Sequence, residues 1–210
     1  MVKILLIGEA YGNTEDEYSH GFTGSSGIEL SFMLRDAGLT NNHELFCQKC
    51  QEWSEYPKCN NCFESLYPSA QDMIRFWLEV KERYSFEITN VFETHPPNND
   101  LGFFFSPIKN TSFMPGLKYD AKRPISYLLP QYQNHLEILW KRIQDTKPNL
   151  CLLLGNTACW AILKQTQIKK IRGSITQDQF GNKCLPTWHP ANILRDWPNR
   201  PIVLADFKKA

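Results

Sequence analysis

The sequence lacks an excess of charge of either sign. Its 210 residues include 23 lysines and arginines and 22 aspartates and glutamates, which gives a formal net charge of +1 at pH 7. A broadly cationic surface that coats nucleic acid is therefore excluded, because such a surface needs many phosphate contacts spread over one face. Any binding of nucleic acid must depend on a local site.

Long apolar runs are absent as well. No stretch approaches the roughly 20 apolar residues that span a bilayer, and the N-terminus has no charged leader followed by a long apolar core. The sequence also contains no internal repeat and no low-complexity tract. We therefore expect one soluble, cytoplasmic domain over residues 1–210 that is monomeric and has no membrane partner.

Four apolar segments rich in leucine and β-branched residues predict buried strands, and amphipathic segments between them predict helices. The strands are expected at residues 2–7, 85–92, 149–154 and 184–188, and the helices at 26–38, 69–84, 126–146 and 156–164. This alternation predicts a three-layer α/β/α fold around a central, mostly parallel four-stranded sheet. Ser26 with Glu29, and Ser69 with Asp72, are spaced to cap two of the helices.

Three of the predicted strands end beside a chemically useful side chain. Glu9 follows the first strand, Asn90 lies near the end of the second, and His189 follows the fourth. The carboxyl ends of parallel strands lie at one edge of a sheet, so these three residues are expected to meet in one pocket. Taken singly, such residues more often have a bland role: a lone Asn more often forms a turn, and a His before Pro is more often structural.

In these loops the sequence resembles the uracil-DNA glycosylase superfamily, and particularly its thermophile-type branch, whose members contain an iron–sulfur cluster. Five segments are similar to motifs of that branch, in the same order: GEAYG with the acidic pair Glu15-Asp16, GFTGSSG at 21–27, NVF and PPNN within 90–99, LLGNTA at 153–158, and HPANILR at 189–195. These segments span nearly the whole chain. The resemblance implies a hydrolase that removes uracil from DNA and leaves an abasic site.

The resemblance assigns the catalytic roles to Glu9 and His189. When an N-glycosidic bond breaks, positive charge develops on the deoxyribose and negative charge on the departing uracil, especially at O2. An imidazole N–H from His189 would stabilise the leaving base, as fixed donors stabilise other developing oxyanions. Glu9 would orient a water molecule or stabilise the cationic sugar.

Recognition of the base would depend on four further residues. Asn90 offers an amide donor and an acceptor that fit O4 and N3–H of uracil but clash with the reversed pattern of cytosine. Phe22 would stack on a base that is flipped out of the helix. By resemblance, Tyr11 or Glu15 would crowd C5 of uracil and reject the methyl group of thymine.

DNA is expected to be held by loops. Ser25 and Ser26 lie where the backbone N–H groups of a helix N-terminus could bind a phosphate, and Gly155 and Asn156 repeat that arrangement.

The segment after His189 contributes two further candidates for contact with DNA. Arg195 follows the His-Pro loop and is expected to contact DNA. Ile193 or Leu194 could act as a wedge that fills the stack after base flipping.

A cysteine cluster predicts a metal site in an insertion at about residues 43–66. Two Cys-x-x-Cys pairs supply the four thiolates of a structural zinc: Cys47, Cys50, Cys59 and Cys62. The iron–sulfur branch takes ligands from a cysteine pair near its start and from around its Pro-Pro motif, where this chain has Glu93, Thr94 and His95. We therefore expect zinc, with an iron–sulfur cluster or unligated thiols as alternatives, because thiolate count alone does not choose the metal.

The chain departs from the motifs of the branch at several positions near the expected pocket. Tyr11 stands in place of Pro, His95 in place of Arg, and Ala191 in place of Ser, and residues 101–124 form an unusual aromatic segment. Three alternatives to uracil removal follow. The base could differ from uracil, the chain could bind DNA or a partner without cutting, or it could act on free nucleosides or nucleotides.

Overall fold

The computed structural model describes residues 2–40, 44–47, 49–50, 52–55, 62, 68–79, 84–109, 114–118 and 124–210. The strands are β1 (Val2–Ala10), β2 (Glu44–Cys47), β3 (Glu52–Glu55), β4 (Tyr84–Phe92), β5 (Phe105–Ser106), β6 (Tyr127–Leu128), β7 (Leu150–Leu154), β8 (Thr176–Gln177) and β9 (Lys183–Thr187). The α-helices are α1 (Asn13–Tyr18), α2 (Ser25–Asp36), α3 (Ala70–Glu79), α4 (Gln133–Thr146), α5 (Asn156–Leu163), α6 (Ile168–Ile171), α7 (Pro190–Arg195) and α8 (Arg200–Phe207). Short 3-10 helices occupy Pro97–Asn99, Leu101–Phe104, Pro130–Tyr132 and Trp197–Asn199.

The central sheet has the strand order β4-β1-β7-β9-β8. The first four strands are parallel to their neighbours, as the alternation of strands and helices predicts, and the predicted α/β fold is confirmed. The prediction of four strands is wrong, because β8 adds a fifth, antiparallel strand beside β9. This strand has only two residues, which is too short to produce a hydrophobic period in the sequence.

Each face of the sheet is covered by its own apolar cluster. Leu5 and Ile7 of β1 pack with α4 and α5 on one face, while Ile4 and Leu6 pack with α2, α3 and α8 on the other. A strand that is buried on both faces needs apolar residues at every position. This requirement explains the unbroken apolar run that opens the sequence, and it fixes the loop after β1 at the carboxyl edge of the sheet.

The two predicted helix caps have different outcomes. Asp72 N donates to Ser69 Oγ over 3.2 Å and Ser69 N donates to Asp72 Oδ2 over 2.9 Å, which confirms the cap of α3. At α2 the prediction is wrong, because Gly24 occupies the cap position without a side-chain hydrogen bond. Glu29 is instead buried and accepts a 2.8 Å hydrogen bond from Arg200 on α8.

The helix predicted at 126–146 begins seven residues late, at Gln133. Residues 127–128 are taken up by β6, which pairs with β5, and Pro130 opens a 3-10 turn. The aromatic segment that starts at residue 101 thereby packs onto the sheet. Its Phe104 ring stacks on Phe92 at the end of β4, with ring centroids 4.0 Å apart.

Candidate active site

The predicted pocket residues meet at the carboxyl edge of the sheet. Gly8 of β1 lies opposite Asn90 of β4 in the parallel register, and Glu9 is the next residue along β1. The Phe22 ring packs against Gly8 and stacks on the His189 ring, with centroids 5.9 Å apart. A continuous chain of contacts therefore joins Asn90 to His189 through Gly8 and Phe22.

Gly8 provides the space for this cluster. A Cβ atom at this position would lie 2.1 Å from Oδ1 of Asn90 and 2.6 Å from Cζ of Phe22. Both distances are far inside van der Waals contact, so no larger residue fits without moving the two side chains. The glycine that ends the apolar run is therefore a packing requirement of the site.

Phe22 has a strained backbone that its neighbours stabilise. Its φ of +57° lies in the left-handed region, which is unfavourable for an aromatic residue. Its carbonyl accepts a 3.0 Å hydrogen bond from the indole N–H of Trp77. A Cβ at Gly27 would lie only 1.8 Å from the same carbonyl oxygen, so the glycine permits this close approach. The ring orientation beside His189 is thus fixed by the surrounding fold.

Glu15 connects the first loop to the loop that carries Phe22. Its Oε1 accepts hydrogen bonds from the backbone N–H groups of Thr23, at 3.1 Å, and Gly24, at 2.8 Å. Its Oε2 lies against Gly12, where an added Cβ would be 2.7 Å away. Three separate backbone positions therefore surround this one carboxylate.

Tyr11 is half-buried beside an ion pair. Burial raises the pKa of Tyr11, and the negative charge of Glu93 raises it further. Glu93 accepts hydrogen bonds from the guanidinium of Arg142 and from the hydroxyl of Thr89. The ion pair restrains the end of β4 on the side of the site where Tyr11 lies.

Glu9 is held by Thr157, a residue of the turn at 155–157 to which the sequence assigned no role at this carboxylate. The hydroxyl of Thr157 donates a 2.6 Å hydrogen bond to Oε2 of Glu9. Burial raises the pKa of Glu9, while the Thr157 hydroxyl and the positive charge of Arg195 act in the opposite direction. Thr157 is the threonine of the LGNTA segment, so the family-like motif contained the signal, although spacing alone gave it no role.

His189 caps α7 in a way that defines its tautomer. Its Nδ1 accepts a 3.2 Å hydrogen bond from the backbone N–H of Ala191. A neutral imidazole with an accepting Nδ1 has its proton on Nε2. Burial, followed by the positive charge of Arg195, lowers the pKa of His189 to about 4. The ring is therefore neutral at pH 7 and presents one N–H donor.

The predicted DNA-contacting residues occupy the same edge of the fold. Ser25 and Ser26 form the first turn of α2, exposed and half-buried respectively. Arg195 is exposed at the end of α7 and makes no hydrogen bond or ion pair with any residue in the described ranges. Of the two proposed wedges, Leu194 is 47% exposed whereas Ile193 is fully buried, so only Leu194 is available to enter a base stack.

Gly155 and Asn156, which are expected to bind a DNA phosphate, also make contacts within the protein. Gly155 has a φ of +94°, and a Cβ placed there would lie 3.1 Å from Cβ of His189. Oδ1 of Asn156 accepts a 2.9 Å hydrogen bond from the backbone N–H of Ile168. The turn between β7 and α5 thus supports neighbouring loops of the site.

Two of the four predicted metal ligands have side chains outside the described part of the chain. Cys59 and the side chain of Cys47 are in that part of the chain, while Cys50 and Cys62 are described and lie in turns. The described side chains contain no group of three or more His, Cys, Asp or Glu residues that could hold a metal ion. The zinc site stays a prediction.

Among the described helices, none is long and apolar enough to cross a membrane.

A family model and a known protein each match nearly the whole length of this chain. The model of the uracil DNA glycosylase superfamily matches residues 1–209. The type-4 uracil-DNA glycosylase of Thermotoga maritima is 25% identical over 212 residues, covering 99% of this chain and 76% of that protein. Both matches include every loop that contributes to the site. The chain therefore belongs to the uracil DNA glycosylase superfamily.

Proposed function

We propose that this protein is a monofunctional DNA glycosylase that flips uracil out of DNA and hydrolyses its N-glycosidic bond, leaving an abasic site. The observation that carries the proposal is the amide of Asn90 at the carboxyl edge of the sheet. Asn90 as a whole residue is 4% exposed, and its side chain makes no hydrogen bond with another residue in the described part of the chain. In that part of the chain its amide atoms are not among the fully enclosed polar atoms without a partner, so they are accessible to a ligand that supplies hydrogen-bond partners.

Uracil supplies those partners. The amide N–H of Asn90 can donate to O4 of uracil, and its Oδ1 can accept from N3–H. Cytosine presents the reversed pattern at these two positions and would leave both groups unpaired. The Phe22 ring, fixed between Gly8 and His189, provides the apolar surface against which a flipped base stacks.

His189 would stabilise the leaving base. As the glycosidic bond breaks, negative charge develops on uracil and concentrates at O2, where the Nε2–H donor would lie. Because the pKa of His189 is lowered to about 4, the ring enters the reaction as a neutral donor. Fixed donors of this kind contribute about 100-fold to 1,000-fold to rate in other enzymes.

Glu9 would act on the sugar side of the bond. Its carboxylate could accept a proton from the attacking water or stabilise positive charge on the deoxyribose. The raised pKa of Glu9 suits the first role, since a general base works best when its pKa is near the operating pH. Tyr11, which lies near the Glu93–Arg142 pair, would exclude the C5 methyl group of thymine.

A base-release assay tests the proposal. The purified protein is incubated with a uracil-containing oligonucleotide, single-stranded and double-stranded, and abasic sites are converted to breaks with alkali. We expect breaks with the wild type and a loss of about 100-fold or more with Asn90→Ala or His189→Ala. Binding without breaks on either substrate would overturn the uracil assignment and favour a non-catalytic DNA-binding protein on the same fold.

The cysteine cluster supports a separate proposal of structural zinc. Cys47 ends β2 and Cys50 lies in the turn that leads to β3, so the first Cys-x-x-Cys pair spans the tip of an antiparallel hairpin, as in zinc knuckles. With Cys59 and Cys62 it would complete a four-thiolate site that stabilises the insertion and contributes no catalytic group. Elemental analysis should find about one zinc per chain in a colourless protein. Iron in a brown protein would refute zinc.

A further inference from the structure

One hydrogen bond links two residues that are 148 positions apart. The Thr157 hydroxyl donates to Oε2 of Glu9 over 2.6 Å, and it is the only hydrogen bond that a described residue makes to this carboxylate. The Thr157 side chain is fully buried. We propose that Thr157 is a positioning residue that holds the Glu9 carboxylate in one orientation and keeps it ionised for the reaction. This inference rests on the role proposed above for Glu9.

Because Thr157 lies in the first turn of α5, its hydroxyl does not have to bond to a helical carbonyl and can donate to Glu9. Thr157 is the second residue of α5, so no helical carbonyl lies three or four residues earlier to accept the proton, as happens for threonines deeper in helices. The branched Cβ leaves few χ1 rotamers, and burial restricts them further. The position of Oγ is therefore fixed by the backbone of the turn that begins α5, and the O–H bond rotates toward the Glu9 carboxylate.

The same turn also contacts the other catalytic residue. Gly155 packs against Cβ of His189, and its N–H donates a 2.9 Å hydrogen bond to the carbonyl of Thr187 at the end of β9. Thr157, two residues later, reaches Glu9 on β1. The segment from Gly155 to Thr157 thus sets the position of Glu9 relative to His189.

The Thr157 hydroxyl opposes the effect of burial on the ionisation of Glu9. Burial favours the neutral carboxylic acid and raises the pKa of Glu9, whereas the Thr157 hydroxyl favours the carboxylate. The positive charge of Arg195 on α7 acts on the Glu9 carboxylate in the same direction as Thr157. Removing the hydroxyl would therefore raise the pKa of Glu9 still further and leave a smaller fraction ionised.

The test compares Thr157→Val and Thr157→Ala, which lack the hydroxyl, with Thr157→Ser, which retains it. Titration of the Glu9 carboxyl carbon by NMR should show a higher pKa in the Val and Ala variants and a value near wild type in the Ser variant. In single-turnover base release, the acid limb of the pH profile should move to higher pH. Release on that limb should fall by about tenfold, in line with loss of a hydrogen bond to a charged group, and release above the limb should fall less.

Thr187→Val is the matched control. Thr187 is also a buried threonine, and its hydroxyl donates a 2.8 Å hydrogen bond to a different carboxylate, that of Asp206. This variant should lose stability without changing the titration of Glu9. An unchanged Glu9 titration in both Thr157→Val and Thr157→Ala would overturn the positioning role. Failure of the wild type to release any base would refute the proposed function instead, because the NMR titration does not depend on activity.

Discussion

At the scale of single residues, His189 is the clearest case of a side chain whose state follows from its surroundings. Its Nδ1 is occupied by the Ala191 N–H, and burial lowers its pKa to about 4. We expect nitrogen NMR of the ring to show the Nε2–H tautomer at pH 7 and protonation only near pH 4. An imidazolium already present at pH 6 would contradict this description.

The same residue makes a prediction about acid stability. A histidine that resists protonation in the folded state but accepts a proton at its ordinary pKa in the unfolded state favours unfolding as pH falls. Its contribution is fully present above about pH 6.5 and is lost as pH falls from there to about 4. The free energy of unfolding of wild type, compared with His189→Gln by urea denaturation, should therefore decline across this window. Parallel pH dependence in the two proteins would argue against it.

Glu9 is expected to reduce stability at neutral pH. Burial raises its pKa in the folded state, so folding is penalised as pH rises through that pKa and the carboxylate ionises. Glu9→Gln keeps an oxygen that accepts from Thr157 but removes the charge. We expect this variant to be inactive and to have a higher Tm than the wild type at pH 7.5. The gain should shrink at pH 4, and an equal gain at both pH values would contradict the charge explanation.

At the scale of elements, the short helix α1 fixes the loop before α2. Glu15 of α1 accepts the N–H groups of Thr23 and Gly24, which directly follow Phe22. In this arrangement Glu15 supports Phe22 through the backbone. Glu15→Ala should therefore disturb the indole N–H resonance of Trp77, which donates to the Phe22 carbonyl, and should raise KM for uracil-containing DNA.

Two other variants of α1 separate this effect from general damage. Glu15→Gln retains one accepting oxygen and should lie between wild type and Glu15→Ala in both measurements. Glu17 is exposed on the same helix, and Glu17→Ala should leave the Trp77 resonance and KM unchanged. A Trp77 resonance that is identical in wild type and Glu15→Ala would contradict the support of Phe22 by Glu15.

The elements also show where local sequence patterns are overruled. Ser26 and Glu29 have the spacing of a capping box, but Arg200 of α8 binds Glu29 and draws it into the contact between α2 and α8. Arg200 is 171 residues from Glu29, so the sequence around Glu29 contains no sign of this contact. The cap of Ser69 and Asp72 survives because both residues lie on the surface, and no described residue distant in sequence makes a hydrogen bond to either side chain.

At the scale of the whole molecule, the fold was predictable because the central strands are buried on both faces and therefore appear as unbroken apolar runs. The convergence of Glu9, Asn90 and His189 followed from the rule that parallel strands end at one edge. The contacts that complete the site were not predictable from spacing. The Thr157–Glu9 bond and the Glu15 contacts join loops whose relative positions exist only once the sheet has formed.

The central claim, that these loops release uracil from DNA, is tested most directly by identifying the free base. Two duplexes that differ only in carrying uracil or thymine at one position are incubated with the protein, and the released bases are identified by mass spectrometry. The site described here predicts free uracil, no free thymine, and thymine release on changing Tyr11→Ala. No free base from either duplex, or uracil and thymine released at equal rates by the wild type, would contradict it.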